Sequence, residues 1–87
     1  MKYLLIRHKV ADFAKWKKAY TAHSSARQAA GLEDLHLLRS VDNPSDVVLL
    51  FAASSIPKAK ALISSEDMHT VMQNAGVIGK PEFLFLK

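Results

Sequence analysis

Seven consecutive apolar residues, Val47-Val48-Leu49-Leu50-Phe51-Ala52-Ala53, carry no polar interruption. A strand with one wet face alternates apolar and polar side chains, so an unbroken run of this length reads as a strand covered on both faces. The rest of the chain must supply that cover, and 87 residues make only one domain, spanning 1–87.

The neighbouring segments fall into place around this strand. Tyr3 to Lys9 reads as a first strand, and Asp12 is a helix N-cap whose carboxylate can accept from free backbone N–H groups. Phe13, Trp16, Ala19, Tyr20, His23, Ala26 and Ala30 follow helical spacing, which predicts one helix of about 18 residues ended by Gly31. Leu32 to Val41 is a second strand, with Leu35, Leu37, Arg39 and Val41 on one side and His36, Leu38 and Ser40 on the other. Asp42-Asn43-Pro44-Ser45-Asp46 has turn chemistry and sets Arg39 opposite Leu49. Ser54 or Ser55 caps a helix to about Ile63 with Pro57 in its first turn. Ser64-Ser65-Glu66-Asp67 restarts the helix, carries Met68, Val71 and Met72 inward and ends at Ala75-Gly76. Val77 to Lys80 is a connector, and Pro81 to Lys87 is the last strand.

The order β-α-β-β-α-β is the ferredoxin-like arrangement, an α+β fold. It predicts an antiparallel four-stranded sheet with both helices on one face, the crossovers setting outer strands parallel to inner neighbours. Two helices cover one face only, yet both parities are apolar. Tyr3, Leu5, Val47, Leu49, Phe51, Phe83 and Phe85 make one set, and Leu4, Ile6, Leu38, Val48, Leu50, Leu84 and Leu86 the other. A monomer would expose a large apolar patch, and a homodimer with sheets meeting face to face removes it. Leu49 and Phe51 are expected in that interface, so Leu49→Asp or Phe51→Asp would unfold or monomerise the protein.

Composition narrows the function classes. With no cysteine, thiolate metal sites and cysteine nucleophiles are excluded. Twelve Lys plus Arg against eight Asp plus Glu leave a net charge of +4, too scattered for a nucleic-acid footprint. The apolar run Tyr3 to Ile6 is shorter than the roughly 7 residues of a signal peptide core or the roughly 20 of a membrane span. A soluble, cytoplasmic protein without membrane or nucleic-acid partners is expected.

Two segments, His8 to Trp16 and Met72 to Glu82, stand out together with Gly31-Leu32 and Asp42-Asn43-Pro44. They resemble the small dimeric α/β-barrel proteins related to antibiotic biosynthesis monooxygenases, and the resemblance covers nearly the whole chain. It implies a homodimeric α/β barrel with helices outside and a pocket between helices and sheet. Members of that superfamily oxidise polycyclic aromatics without metal or flavin, cyclise polyketides, degrade haem, or have no known activity.

Trp16, Tyr20 and His23 lie at steps of four and three and share one helix face. They offer either core packing or a wall for a flat ligand with polar tips. His8, at the end of the first strand, can act as a base or tie the strand to the loop. Arg39 among leucines calls for an intersubunit ion pair or a ligand anion, while His36 in the same strand is ordinary. The resemblance to haem-degrading relatives, which use a helix histidine as the iron ligand, makes His69, near Met72, a haem-ligand candidate; read from the residues alone, it is a solvent-facing histidine. The histidines lack the spacing of a zinc site. The serine pairs and Gly76 with Gly79 lack the context of a nucleophile elbow or phosphate loop.

The combined expectation is a dimer binding a small apolar or aromatic ligand without metal or cofactor. It is a cofactor-independent oxygenase or cyclase, a binding module with a packed core, or a haem-binding or haem-degrading relative. His8, Tyr20 and His23 are the candidate catalytic residues, and Trp16, Arg39, Met72 and His69 the candidate ligand contacts. A ligand site beside Trp16 and Tyr20 calls for a cavity of about 300 Å³ or more.

Overall fold

The computed structural model describes residues 1–87. Eight elements follow one another: β1 (Lys2–Val10), α1 (Phe13–Ala22), α2 (Ser24–Ala29), β2 (Leu32–Arg39), β3 (Asp46–Ala53), α3 (Ile56–Ile63), α4 (Glu66–Asn74) and β4 (Val77–Leu86). Side-chain caps start three helices. Asp12 accepts from the Lys15 N–H at 3.3 Å, Ser55 from Lys58 at 3.3 Å and Ser65 from Met68 at 3.1 Å.

The single helix expected from Phe13 to Ala30 is two segments, broken at His23. Its N–H is shared between the Ala19 and Tyr20 carbonyls at 3.1 and 3.3 Å, which tightens the turn. Arg27 Nη1 donates to the Tyr20 carbonyl at 2.7 Å, so a guanidinium supplies a donor at the break. Gly31 then reverses the chain at φ +76°, and its carbonyl accepts from Ser54 N at 2.9 Å.

The sheet order is β2-β3-β1-β4 and every neighbouring pair is antiparallel. Each crossover does join parallel strands, but another strand lies between them, so the expectation that they would be neighbours is corrected. β4 also begins earlier than expected, at Val77. A register shift opposite Arg7 and Lys9, with Gly79 at φ +70°, lets the ladder run on through the supposed connector.

Register also corrects the grouping of the faces. Leu4 pairs with Phe51 and Ile6 with Leu49, so even positions of β1 share a face with odd positions of β3. Leu49 and Phe51 therefore lie beneath the helices, with Leu4, Ile6, Val10, Trp16 and Val47 in one buried core. They are core residues, not residues of a sheet-to-sheet interface.

The opposite face carries Tyr3, Leu5, Val48 and Leu50, half-buried, and Leu38, Leu84 and Leu86, exposed. An Arg7–Asp46 ion pair of 2.8 Å lies on it, with Glu82 across from Arg7. No helix is long and apolar enough to cross a membrane.

Candidate functional site

The helix-facing side of the sheet and three of the helices border a partly open cavity of about 60 Å³. His8, Ile6, Leu49 and Phe51 form its floor, while Trp16, Tyr20 and His23 from α1 and its end, and Arg27 from α2, form one wall. Met68, Val71 and Met72 of α4 form the other. The volume falls well short of the expected 300 Å³ or so.

One wall is a ladder of rings. His8 meets Trp16 edge to face with centroids 5.4 Å apart, and Trp16 stacks on Tyr20 at 5.0 Å and 21°. The Arg27 guanidinium lies over the Tyr20 ring at 3.8 Å. Its Nε and Nη2 each donate to a carboxylate oxygen of Asp34 at 3.2 Å, a two-pronged ion pair that fixes the plane of the guanidinium. Burial is the main cause that pushes the Tyr20 hydroxyl up to about 12; Asp34 adds to it and Arg27 opposes it.

His8 is the exceptional member. It is 5% exposed, and neither Nδ1 nor Nε2 has a hydrogen-bond partner. Burial lowers its pKa from 6.5 to about 4 against the weaker opposing pull of Asp46. At neutral pH it is therefore an uncharged imidazole with a free lone pair beside the aromatic wall. Buried polar atoms are nearly always paired, and these two are the only buried side-chain nitrogens or oxygens in the chain without a partner.

The cavity thus gathers five of the seven residues singled out from sequence: His8, Trp16, Tyr20, His23 and Met72. Arg39 is elsewhere. It stands opposite Val47, not Leu49, because the turn closes one residue earlier on each strand than expected, with Ser40 N bonded to the Asp46 carbonyl at 2.9 Å. Its guanidinium stacks on Phe13 at 3.9 Å and donates to the Pro44 carbonyl at 2.8 Å, so it enters neither the cavity nor an ion pair. His69 is on the exposed side of α4, outside the cavity lining. No three His, Asp or Glu side chains gather in ligand geometry.

Arg27 was not anticipated. The signal was present: 16, 20, 23 and 27 continue the same steps of four, three and four along one helical face. An open cleft of about 1140 Å³ lies at the edge where Lys2, Gly31, Glu33 and Ser54 meet. No unpartnered buried side chain lines it, which favours the smaller cavity as the site.

No protein-family model matches the sequence, and no curated protein does. Solved structures do match along the full length. A candidate antibiotic biosynthesis monooxygenase from Bordetella bronchiseptica superposes with a TM-score of 0.80 at 13% identity, covering 99% of this chain and 94% of that one. One from Nitrosomonas europaea gives 0.69 at 17% identity, over 100% and 97%. SnoaB from Streptomyces nogalater, described as a cofactor-independent oxygenase, gives 0.75 at 12% identity, over 99% and 90%. The chain has the antibiotic biosynthesis monooxygenase fold. At such identities the likeness establishes this fold and leaves the chemistry to be argued from the cavity.

Proposed function

We propose that the cavity binds a small, planar, mostly apolar ligand carrying a hydroxyl, and that His8 accepts its hydrogen bond and, in turnover, its proton. The two unpartnered His8 nitrogens carry this reading. Trp16 offers a flat apolar surface, and Met68 and Met72 offer an adaptable one. A pKa near 4 makes the free imidazole a weak base. An oxyanion forming beside it would stabilise the imidazolium and raise that value, so transfer becomes easier as the ligand ionises.

An aromatic oxyanion is electron-rich enough to react with dioxygen directly, so cofactor-independent oxygenation is the chemistry to assay first. The fold likeness to a cofactor-independent oxygenase supports that choice. Cyclase-like proton transfer would use the same acceptor. The competing reading is a binding module without chemistry, and the small volume of the cavity favours it.

For assembly, we propose that the exposed sheet face seats a second copy of this chain. Its apolar centre is flanked by charges of both signs, Arg7 and Lys9 against Asp46 and Glu82, which can pair with themselves about a twofold axis.

Titration with 1-naphthol and with its methyl ether, by isothermal calorimetry, tests the site. The naphthol should bind more tightly than the ether. His8→Leu should weaken the naphthol about tenfold to a hundredfold, the worth of a hydrogen bond to a charged or polarised group, and leave the ether unaffected. Equal binding of both compounds, or of the naphthol by both proteins, overturns the role of His8. Oxygen consumption with bound naphthol would separate the enzyme from the binding module.

A further inference from the structure

α4 is held unlike its neighbours. Trp16 in α1, Arg27 in α2 and Ala59 in α3 are buried, whereas no residue of α4 is. Met68, Val71 and Met72 are only half-buried where they face the cavity. A nine-residue helix has little stability of its own and depends on the contacts of one face.

Both ends of α4 are turns. The Ser64 and Ser65 hydroxyls donate back to the Lys60 and Leu62 carbonyls at 2.7 Å each, finishing α3 before α4 begins. At the far end Gly76 sits at φ +84°, pinned by Ala11 N donating to its carbonyl at 2.9 Å. Between these points one polar side-chain contact joins α4 to another part of the fold. His23 Nε2 and Asp67 Oδ2 are 3.5 Å apart, and His23 itself lines the cavity.

At about 60 Å³ the cavity is far below the roughly 300 Å³ of a small-molecule site, so a ring is taken in fully only if a wall moves. The floor belongs to β1 and β3, each paired on both sides within the sheet. The α1 wall is fixed by Trp16 and by the Arg27 bonds. The α4 wall has least holding it, and its methionines can repack around different shapes.

We propose that α4 is the hinged wall of the cavity, opening about Ser64–Ser65 and Gly76, with the His23–Asp67 contact as its latch and Met68 and Met72 setting the size of ligand admitted. The inference rests on the cavity being the binding site, but its test needs no ligand. Trp16 is the only tryptophan, so acrylamide quenching of its emission reports access to the cavity. Amide hydrogen exchange reports opening of α4 itself.

In the unmodified protein, the hydrogen-bonded amides of Thr70 to Asn74 should exchange at least 100-fold faster than those of β1 and β3. Asp67→Ala should raise α4 exchange and the Trp16 quenching constant severalfold while leaving β1 and β3 unchanged. Glu66→Ala removes the neighbouring first-turn acid without touching His23, and should change both readouts much less. Sheet-like protection of α4, or equal effects of the two substitutions, overturns the proposal. A mobile α4 in a protein that fails to bind naphthol counts against the site reading alone; naphthol binding with a rigid α4 counts against the hinge alone.

Discussion

His8 stands directly opposite Val47 across the β1–β3 ladder, on the side of the sheet where Val47 is fully buried. An imidazole thus occupies a position suited to an aliphatic side chain, and its nitrogens gain no partner there.

Stability should therefore carry a signature between pH 4 and 6.5. Folded His8 titrates at about 4 and an unperturbed histidine at 6.5, so in this window the unfolded chain binds a proton that the folded chain refuses. The contribution is complete above 6.5 and declines as pH falls toward 4, by up to about 3 kcal/mol at roughly 1.4 kcal/mol per unit. His8→Leu should flatten this slope and, by removing unpaired buried atoms, raise stability at pH 7 by about 1 kcal/mol. Urea midpoints across the range measure both effects. A His8→Leu protein less stable than its parent at pH 7 would mean that the nitrogens are satisfied after all.

The two sides of the sheet should respond differently to charge. Leu38→Asp and Leu84→Asp, on the exposed face, should abolish the proposed self-association while the protomer stays folded. Leu49→Asp should unfold it, because Leu49 is buried under the helices. Light scattering and circular dichroism separate the outcomes. The parent should run as a dimer burying more than about 1,000 Å²; a parent monomer at micromolar concentration would refute the interface.

At the Arg27–Asp34 pair the burial is lopsided, with side-chain exposures of 7% and 48%. Asp34→Ala strands a guanidinium inside and should cost about 2–3 kcal/mol, just under the range for breaking a fully buried pair. Arg27→Met leaves Asp34 free to reach water and keeps some packing on Tyr20, so it should cost less. Arg27→Lys should not rescue, since a point charge cannot make the two-pronged contact. Chemical denaturation of the three variants checks the order, and a costlier Arg27→Met would reverse the argument.

Gly31 should tolerate no side chain. At φ +76° an added Cβ would sit 2.3 Å from Ser54 Oγ. That hydroxyl can rotate away, but only by giving up its 3.1 Å bond to the Gly31 carbonyl. Gly31→Ala should cost about 1–2 kcal/mol from the backbone alone, lowering Tm by roughly 4–16 °C in a domain of this size.

Local chemistry explains which parts were legible beforehand. Asp12, Ser55, Ser65 and Gly31 mark element ends through bonds to residues close in the chain, and they mark the right places. The face of Trp16, Tyr20 and His23 was legible because helical spacing is local too. The pairing of Leu4 with Phe51 is not local: antiparallel register links distant segments, and one step exchanges the faces. The break at His23 was hidden for a different reason: the apolar spacing runs on through it, and the Arg27 side chain, a donor that spacing does not count, helps to stabilise it. The partner of Arg39 depends on where its turn closes, which periodicity does not contain. The orphaned state of His8 depends on every neighbour at once, and no spacing rule contains it.

Leu35 gives the chain an unusual freedom. In β2, Asp34 opposes Phe51 and His36 opposes Leu50, so Leu35 lies between two consecutive rungs without a rung of its own. Removing one residue from a strand ordinarily turns every later side chain over. Here, deletion of Leu35 would bring His36 next to Asp34 while Asp34, Leu37 and Arg39 all kept their present sides. Length variation that would be ruinous elsewhere in the sheet is thus accommodated at this point, close to the carboxylate that holds Arg27.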